Sequence, residues 1–267
     1  MDTNLRPSKS WLAVGFLLIV GLSALTANVS DVQAAGPTVA HVYELNGSFA
    51  DELGGPALVP ARGTLDPTNY SFGPNQGLAL SNGLADAGSY SIETVFRFSE
   101  INGYRKIIDF KDRTVDAGLY NRTGELRFHS IQSGPSGAFA PNVVAHLVVA
   151  KDATTDGFVA YVNGIRQIAF MDTGDNAVFS APNNIIHFFK DDSGSEASAG
   201  VVDRIVVYDG ALTAAEAADL FAPPVPRPLS ISMTLTEATL TPWAGPRWSR
   251  REEHSVPCTT PSGRIRD

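Results

Sequence analysis

The chain has 267 residues, 20 Lys and Arg against 28 Asp and Glu, and a net charge of −8. That balance excludes a partner bound through nucleic-acid phosphates, which demand neutralising positive charge. The 43% hydrophobic content excludes bulk disorder, and the single cysteine, Cys258, excludes an internal disulfide or a cysteine metal cluster.

Arg6 and Lys9 precede an uncharged apolar run, Trp11 to Ala27, and the polar stretch that follows ends in Val32-Gln33-Ala34. A positive start, an apolar middle and a small-residue exit predict a secretory signal peptide over 1–34, cleaved before Ala35. The alternative is a retained anchor, because the run is just long enough to span a bilayer. Both readings expect the remainder outside the cytoplasmic membrane, secreted or at the cell surface. With cleavage, no membrane span is left.

From Val39 onward short apolar runs are separated by Gly, Pro, Asn and Asp. Val39–Leu45 and Gln76–Ser81 come first. In Tyr90–Ser99, Tyr90, Ile92, Thr94, Phe96 and Phe98 share one face, while Ser91, Glu93 and Arg97 share the other. A period of two predicts a half-buried strand with the aromatic face inward. Lys106–Phe110 follows, then Ala117–Asn121 and Glu125–Ser130 as hairpin arms. Val143–Ala150 is almost wholly apolar, as a strand covered on both faces should be. Phe158–Val162 and Ile165–Phe170 flank Asn163-Gly164, a strong hairpin signal because both central residues of a type I′ turn take positive φ. Ile185–Phe189 and Val201–Tyr208 complete a pattern of short strands with turns about every ten residues, that of a sandwich or barrel.

One helix is predicted. Thr213-Ala214-Ala215-Glu216 has capping-box form, and Pro223 and Pro224 stop the Ala-rich run after Phe221. It is too short to stand alone, so Leu220 and Phe221 are expected to dock it on the sandwich. Residues 35–222 carry 12 basic and 22 acidic side chains, whereas residues 223–267 carry 6 and 4. That shift, with eight prolines and little periodicity, predicts a separate, largely disordered tail over 223–267.

Three segments resemble the laminin-G-like domains of the concanavalin A-like lectin/glucanase superfamily. They are Tyr43-Glu44-Leu45-Asn46-Gly47 with Asp51-Glu52-Leu53-Gly54-Gly55, the strands around Ala160-Tyr161-Val162-Asn163-Gly164 preceded by His146–Ala150, and Gly200–Tyr208 with Asp209-Gly210-Ala211-Leu212-Thr213 and the helix. The resemblance covers residues 39–221. It implies an all-β, antiparallel two-sheet jelly-roll sandwich closed by one short C-terminal helix. A fainter resemblance, Val225-Pro226-Arg227-Pro228, is to the Val-Pro-Glu-Pro motif of PEP-CTERM sorting regions. Here Arg227 stands for the Glu, and no apolar helix follows.

Glucanases of this fold carry a Glu-x-Asp-x-x-Glu strand, and no segment here has it. Glu93, Glu100, Asp109, Asp112 and Asp116 are read as solvated surface carboxylates. His41, His146 and His187 are read as hydrogen-bonded structural residues, and no catalytic residue is assigned. The tryptophans, Trp11, Trp243 and Trp248, all lie outside the sandwich. Tyr70, Tyr104, Tyr120 and Phe139 are therefore the candidates for stacking on a sugar. Calcium, a hard cation wanting six to eight oxygens, is expected at one of two places. The resemblance implies Asp203 on the last strand with Asn46 and the carbonyls near Gly47. The sequence itself offers the loop of Asp191, Asp192 and Glu196. The alternatives are a backbone-bonded side chain for Asp203 and a hydrated acidic turn for the loop.

The function expected is that of a non-catalytic extracellular recognition module, carbohydrate-binding or adhesive, with a glycan or matrix polymer as partner. The alternatives are a glycoside hydrolase or lyase with a non-standard active site, and a structural surface protein with no small ligand.

Overall fold

The computed structural model describes residues 36–221. The expected signal peptide and the expected tail lie outside them. Among the described residues the chain forms β1 (Val39–Tyr43), β2 (Val59–Pro60), β3 (Thr64–Leu65), β4 (Tyr70–Phe72), β5 (Leu78–Leu80), β6 (Tyr90–Phe98), β7 (Tyr104–Asp109) and β8 (Gly118–Arg122). It continues with β9 (Glu125–Phe128), β10 (Gln132–Ser133), β11 (Ala145–Asp152), β12 (Gly157–Val162), β13 (Ile165–Met171), β14 (Ile186–Phe188), β15 (Gly200–Tyr208) and α1 (Ala214–Phe221).

These build two antiparallel sheets packed as a jelly-roll sandwich. Sheet A runs β13-β12-β11-β6-β15-β4-β3, with β1 also on β15. Strand β15 is long enough to pair β4 along its first half and β1 along its second. Sheet B runs β10-β9-β8-β7-β14-β5-β2. Alternate residues of the central strands, among them Ile92, Phe96, Leu147, Val149, Phe158, Val202 and Ile205 from sheet A and Leu119, Leu126, Phe128, Ile186 and Phe188 from sheet B, meet in one core. The aromatic face of β6 is inward, as its period of two predicts.

Part of the outward face of sheet A is also buried, because α1 lies on it. Val148, Tyr161, Val206, Tyr208, Leu212 and Ala217 form a second apolar cluster there. The capping box forms: the Glu216 amide donates to Thr213 Oγ1 at 3.3 Å, and the Thr213 amide donates to Glu216 Oε2 at 2.8 Å. Docking differs in detail from expectation. Ala217 is the fully buried contact and Leu220 packs beside it, while Phe221 stays half exposed and stacks on His146 with ring centroids 5.8 Å apart.

This cover corrects the reading of Glu93 as a surface carboxylate. Glu93 is buried, accepting from Arg204 Nη1 at 3.2 Å and Tyr208 Oη at 3.0 Å, with His146 Nε2 3.0 Å away. The structural reading of the histidines agrees with their partners, His41 with Asp51 and His187 with Asp112, each at 2.8 Å. No helix among the described residues is long and apolar enough to cross a membrane.

Candidate functional site

Among the described residues, no helix lies on the outward face of sheet B. Register places Lys106 of β7, Tyr120 of β8 and Arg127 of β9 in one row across three strands. Tyr104 and Arg122 form the adjoining row. The rings of Tyr104, Tyr120 and His129 make a triangle, with centroids 5.5 to 5.8 Å apart. The guanidiniums of Arg122 and Arg127 lie 5.4 and 5.8 Å from the Tyr104 ring.

Lys106 and Asp109 are three residues apart, so strict alternation would put them on opposite faces. A bulge at Ile107 resets the alternation. Ile107 and Ile108 both enter the core, and Lys106 Nζ donates to Asp109 Oδ2 at 2.9 Å. Asp109 is therefore buried, not a surface carboxylate as the sequence reading had it. Gly118, paired with Asp109, leaves the room: a Cβ there would stand 3.0 Å from Lys106 Nζ and 2.8 Å from the Ile108 carbonyl oxygen.

The loop after β14 closes over this row. The Lys106 amide donates to the Glu196 carbonyl at 2.8 Å, and Arg113 Nε donates to the Asp191 carbonyl at 2.8 Å. Asp191 Oδ2 accepts from Ser193 Oγ and Gly194 N, both at 3.0 Å, and from Glu196 N at 3.3 Å. Its other oxygen, Oδ1, is buried with no hydrogen-bond partner and lies 3.9 Å from Lys106 Nζ.

The loop between β7 and β8 brings Asp116 to the same place. One oxygen each from Asp116, Asp191 and Glu196 lie within 4.8 Å of one another. Two of the three residues belong to the loop singled out for calcium. Asp192 is exposed, with its Oδ1 accepting from Ser193 N, and is not one of the three. The sequence reading missed Asp116 as a ligand, along with Lys106. A lysine and an aspartate bracketing two isoleucines in Lys106–Asp109 were the available signal.

Burial works against the Asp191 carboxylate, but the Ser193 and Glu196 hydrogen bonds and the Lys106 charge hold its pKa below the usual range. Glu196 goes the other way. Burial and the charges of Asp191 and Asp116 push it up, against smaller opposing effects of Tyr120 and His129. The Tyr120 phenol is pushed well up by burial and then by Glu196, Asp116, Asp191 and Asp109.

Of the four stacking candidates, Tyr104 is the one with its ring in reach of solvent. Tyr70, Tyr120 and Phe139 are buried, and Tyr70 donates to the carbonyls of Arg62 and Gln76.

At the strand-end site, a bulge falls at Asp203, between the pairs of Val202 and Arg204 with β6. Burial and the nearby Asp66 charge raise the pKa of this half-buried carboxylate, against the pull of Arg97. Pairing of β1 with β15 ends at Tyr43↔Ile205, which directs the chain toward Asp203 as it runs to the exposed Asn46. A Cβ on Gly47 would touch Pro67 Cα at 3.9 Å, so this segment also borders the loop that carries Asp66.

A groove of 580 Å³ runs beside α1 on sheet A, between β11–β13 and Ala211–Thr213. None of its lining residues carries a buried polar atom lacking a partner. On the sheet B face, Tyr120 Oη, Arg127 Nε, His129 Nδ1, Asp191 Oδ1 and Glu196 Oε2 are all in that state. Buried polar groups without partners call for an explanation, a bound ligand being one, and their concentration makes the sheet B face the candidate site.

The sequence profile of the Concanavalin A-like lectin/glucanases superfamily matches residues 72–218. The chain belongs to that superfamily. No curated protein matches the sequence. Among solved structures, domain 4 of AbnA, a GH43 extracellular arabinanase from Geobacillus stearothermophilus solved with arabinotriose, is 16% identical with a TM-score of 0.53. The match covers 70% of this chain and all of that domain. Trypanosoma rangeli sialidase is 20% identical with a TM-score of 0.54, over 70% of this chain and 33% of the sialidase. The binding domain of botulinum neurotoxin serotype D is 11% identical with a TM-score of 0.50, over 69% of this chain and 51% of that domain. The chain thus spans about a third of the sialidase and half of the neurotoxin domain. At these identities the three likenesses show the fold alone.

Proposed function

We propose that this superfamily member is a non-catalytic recognition module for carbohydrate, exported from the cell, with the outward face of sheet B as its binding surface. One observation carries the reading. Tyr104 presents a partly exposed aromatic ring on the outward face of sheet B, with the guanidiniums of Arg122 and Arg127 over it and His129 beside it. A sugar needs an apolar platform for its ring and placed donors for its hydroxyls, and these residues offer both. The arabinotriose complex of the similar arabinanase domain supports the same direction.

The fold also implies a structural calcium at Asp203. Asp203, half-buried at the bulge, would supply a carboxylate oxygen to it. Asn46 would add an amide oxygen. Calcium at about 100 times its dissociation constant adds about 2.7 kcal/mol of stability, so a melting curve indifferent to excess EGTA would remove both calcium expectations.

The test of the main reading is a glycan array probed with the full chain in calcium, set against Tyr104→Ala. Binding that weakens in the variant supports it, and a flat array overturns it in favour of a structural surface protein. A second reading, glycoside hydrolysis or elimination, is favoured by the opposed pKa shifts of Asp191 and Glu196, the pattern of an acid/base pair. Release of reducing ends or unsaturated uronates from a polysaccharide panel would establish it.

A further inference from the structure

We propose that the carbohydrate taken on the outward face of sheet B is an acidic one, its carboxylate or sulfate held by the guanidiniums of Arg122 and Arg127; this rests on the carbohydrate reading of that face. Acidic side chains outnumber basic ones 22 to 12 over residues 35–222, so an arginine there has carboxylates to choose from. Arg105 takes Glu100, and Arg204 takes Glu44 and Glu93. Among the described residues, Arg122 and Arg127 enter no ion pair, even though register sets Glu125 opposite Arg122. They lean instead on one ring, that of Tyr104, at 5.4 and 5.8 Å from its centroid. Two like charges gathered on one ring, in a chain with acids to spare, leave a local excess of positive charge that an anion from outside would neutralise.

Their donors are open. Arg127 spends Nη1 on Ser133 Oγ at 2.9 Å, and its Nε is buried with no partner. Arg122 is exposed, and its nitrogens meet no acceptor among the described residues. His129, its ring 5.8 Å from that of Tyr104, adds a buried Nδ1 without a partner.

The donor chemistry selects the ligand. A guanidinium is a planar fork that meets a carboxylate or a sulfate two N–H groups at a time, and it is weakly enough hydrated to lie on an aromatic ring. The Tyr104 ring holds the two forks in place before a ligand arrives, which lowers the entropy that binding costs. Lys106, the other cation of this face, is committed: its ammonium is buried on Asp109. Two forks suit an isolated oxyanion on a sugar ring. A dense polyanion would meet the net charge of −8 and the carboxylates of Asp116, Asp191 and Glu196 on the same face.

The test is calorimetry of the full chain with paired oligosaccharides. Oligogalacturonate is set against its methyl ester, sulfated galactan against the same chain desulfated, and a neutral arabinan oligomer is added. At least one charged form should bind about tenfold or more tighter than its neutral counterpart, the effect of hydrogen bonds to charged groups. The arm that responds tells carboxylate from sulfate. Raising the salt from about 0.05 to about 0.5 M should weaken the charged form alone. Arg122→Gln and Arg127→Gln should each remove most of the preference, and Arg166→Gln, on β13 of the other sheet, should keep it. Arg122 is exposed, so its substitution leaves the fold intact, and the comparison of paired ligands needs no variant at all. Neutral chains bound as tightly as charged ones, with Tyr104→Ala weakening both, would overturn the acidic class and leave carbohydrate recognition standing. A preference that survives both arginine variants would overturn this site for it. Binding of none of the chains would remove the carbohydrate reading and the acidic class together.

Discussion

Lys106 Nζ sits 4.4 Å from the centroid of the Tyr120 ring, fully buried, with Asp109 Oδ2 2.9 Å away. The ring supplies a cation–π contact and the carboxylate a charged hydrogen bond, so the ammonium is satisfied without water. Lys106→Ala would leave the buried Asp109 without its counter-charge. Breaking a buried pair on one side costs about 3–5 kcal/mol, and urea unfolding should show a loss of that order. A double variant, Lys106→Met with Asp109→Leu, should recover only part of it, because the lone Asp109 charge is removed while the buried Asp191, 3.9 Å from the ammonium, still loses its counter-charge. Equal stability of Lys106→Ala and wild type would refute this account of the row.

Glu93 gathers three strands beneath α1. Its carboxylate is shared by His146 from β11 and by Arg204 and Tyr208 from β15, and Arg204 also reaches Glu44 at 3.1 Å. Glu93→Ala should cost at least about 3 kcal/mol, since it strands buried donors that the helix keeps from water. Glu93→Gln keeps the volume and one acceptor, so its loss should be smaller. Hydrogen exchange gives the sharper reading: amides of α1 should open before the rest of the sandwich in Glu93→Ala.

Much of this fold is legible in the sequence, and the reason is local. Tyr90–Phe98 alternates over nine residues, and Asn163-Gly164 states its turn outright. What escapes is set by parity and distance. The two-residue strands Val59–Pro60, Thr64–Leu65 and Gln132–Ser133 are too short to show any period. One bulged residue, Ile107, turns Lys106 and Asp109 to the same face, against the alternation that otherwise guides the reading. Glu93 reads as solvent-facing on its own strand, and only a helix from the far end of the domain buries it. In the candidate site, Asp191 and Glu196 are neighbours in sequence, but Asp116 reaches them through sheet pairing that no short window contains.

The β12–β13 turn tests how tightly local chemistry is held. Asn163 has φ 51° and Gly164 φ 74°, both in the left-handed region. Gly164→Ala places a Cβ 3.0 Å from Phe221 Cδ1, so backbone strain is joined by a clash with the end of α1. Left-handed backbone costs a non-glycine residue about 1–2 kcal/mol, and the loss should exceed the lower figure. Gly103, with φ 70° and nothing within 4 Å of its Cβ, is the control. Gly103→Ala should show the backbone cost alone, so a larger penalty there than at Gly164 would contradict the argument.

Acid stability follows from two depressed carboxylates. Burial opposes ionisation of Asp51, but the His41 ring and the amides of Val42, Leu53 and Gly55 outweigh it and lower the pKa. Burial also opposes Glu93, and the His146 hydrogen bond, the Arg204 charge and the Tyr208 hydroxyl outweigh it in the same way. In the unfolded chain these groups titrate at about 3.9 and 4.3. Above those values both states are ionised, and the native bonds contribute in full. As pH falls below them the unfolded chain takes up protons first, so stability drops until the lower native pKa values are passed. Urea midpoints should therefore be insensitive to these two groups above about pH 5 and fall steeply below about pH 4. Asp51→Asn should start less stable at neutral pH and show a shallower acid limb, because its proton uptake is gone. An acid limb as steep in Asp51→Asn as in wild type would assign the transition to other groups.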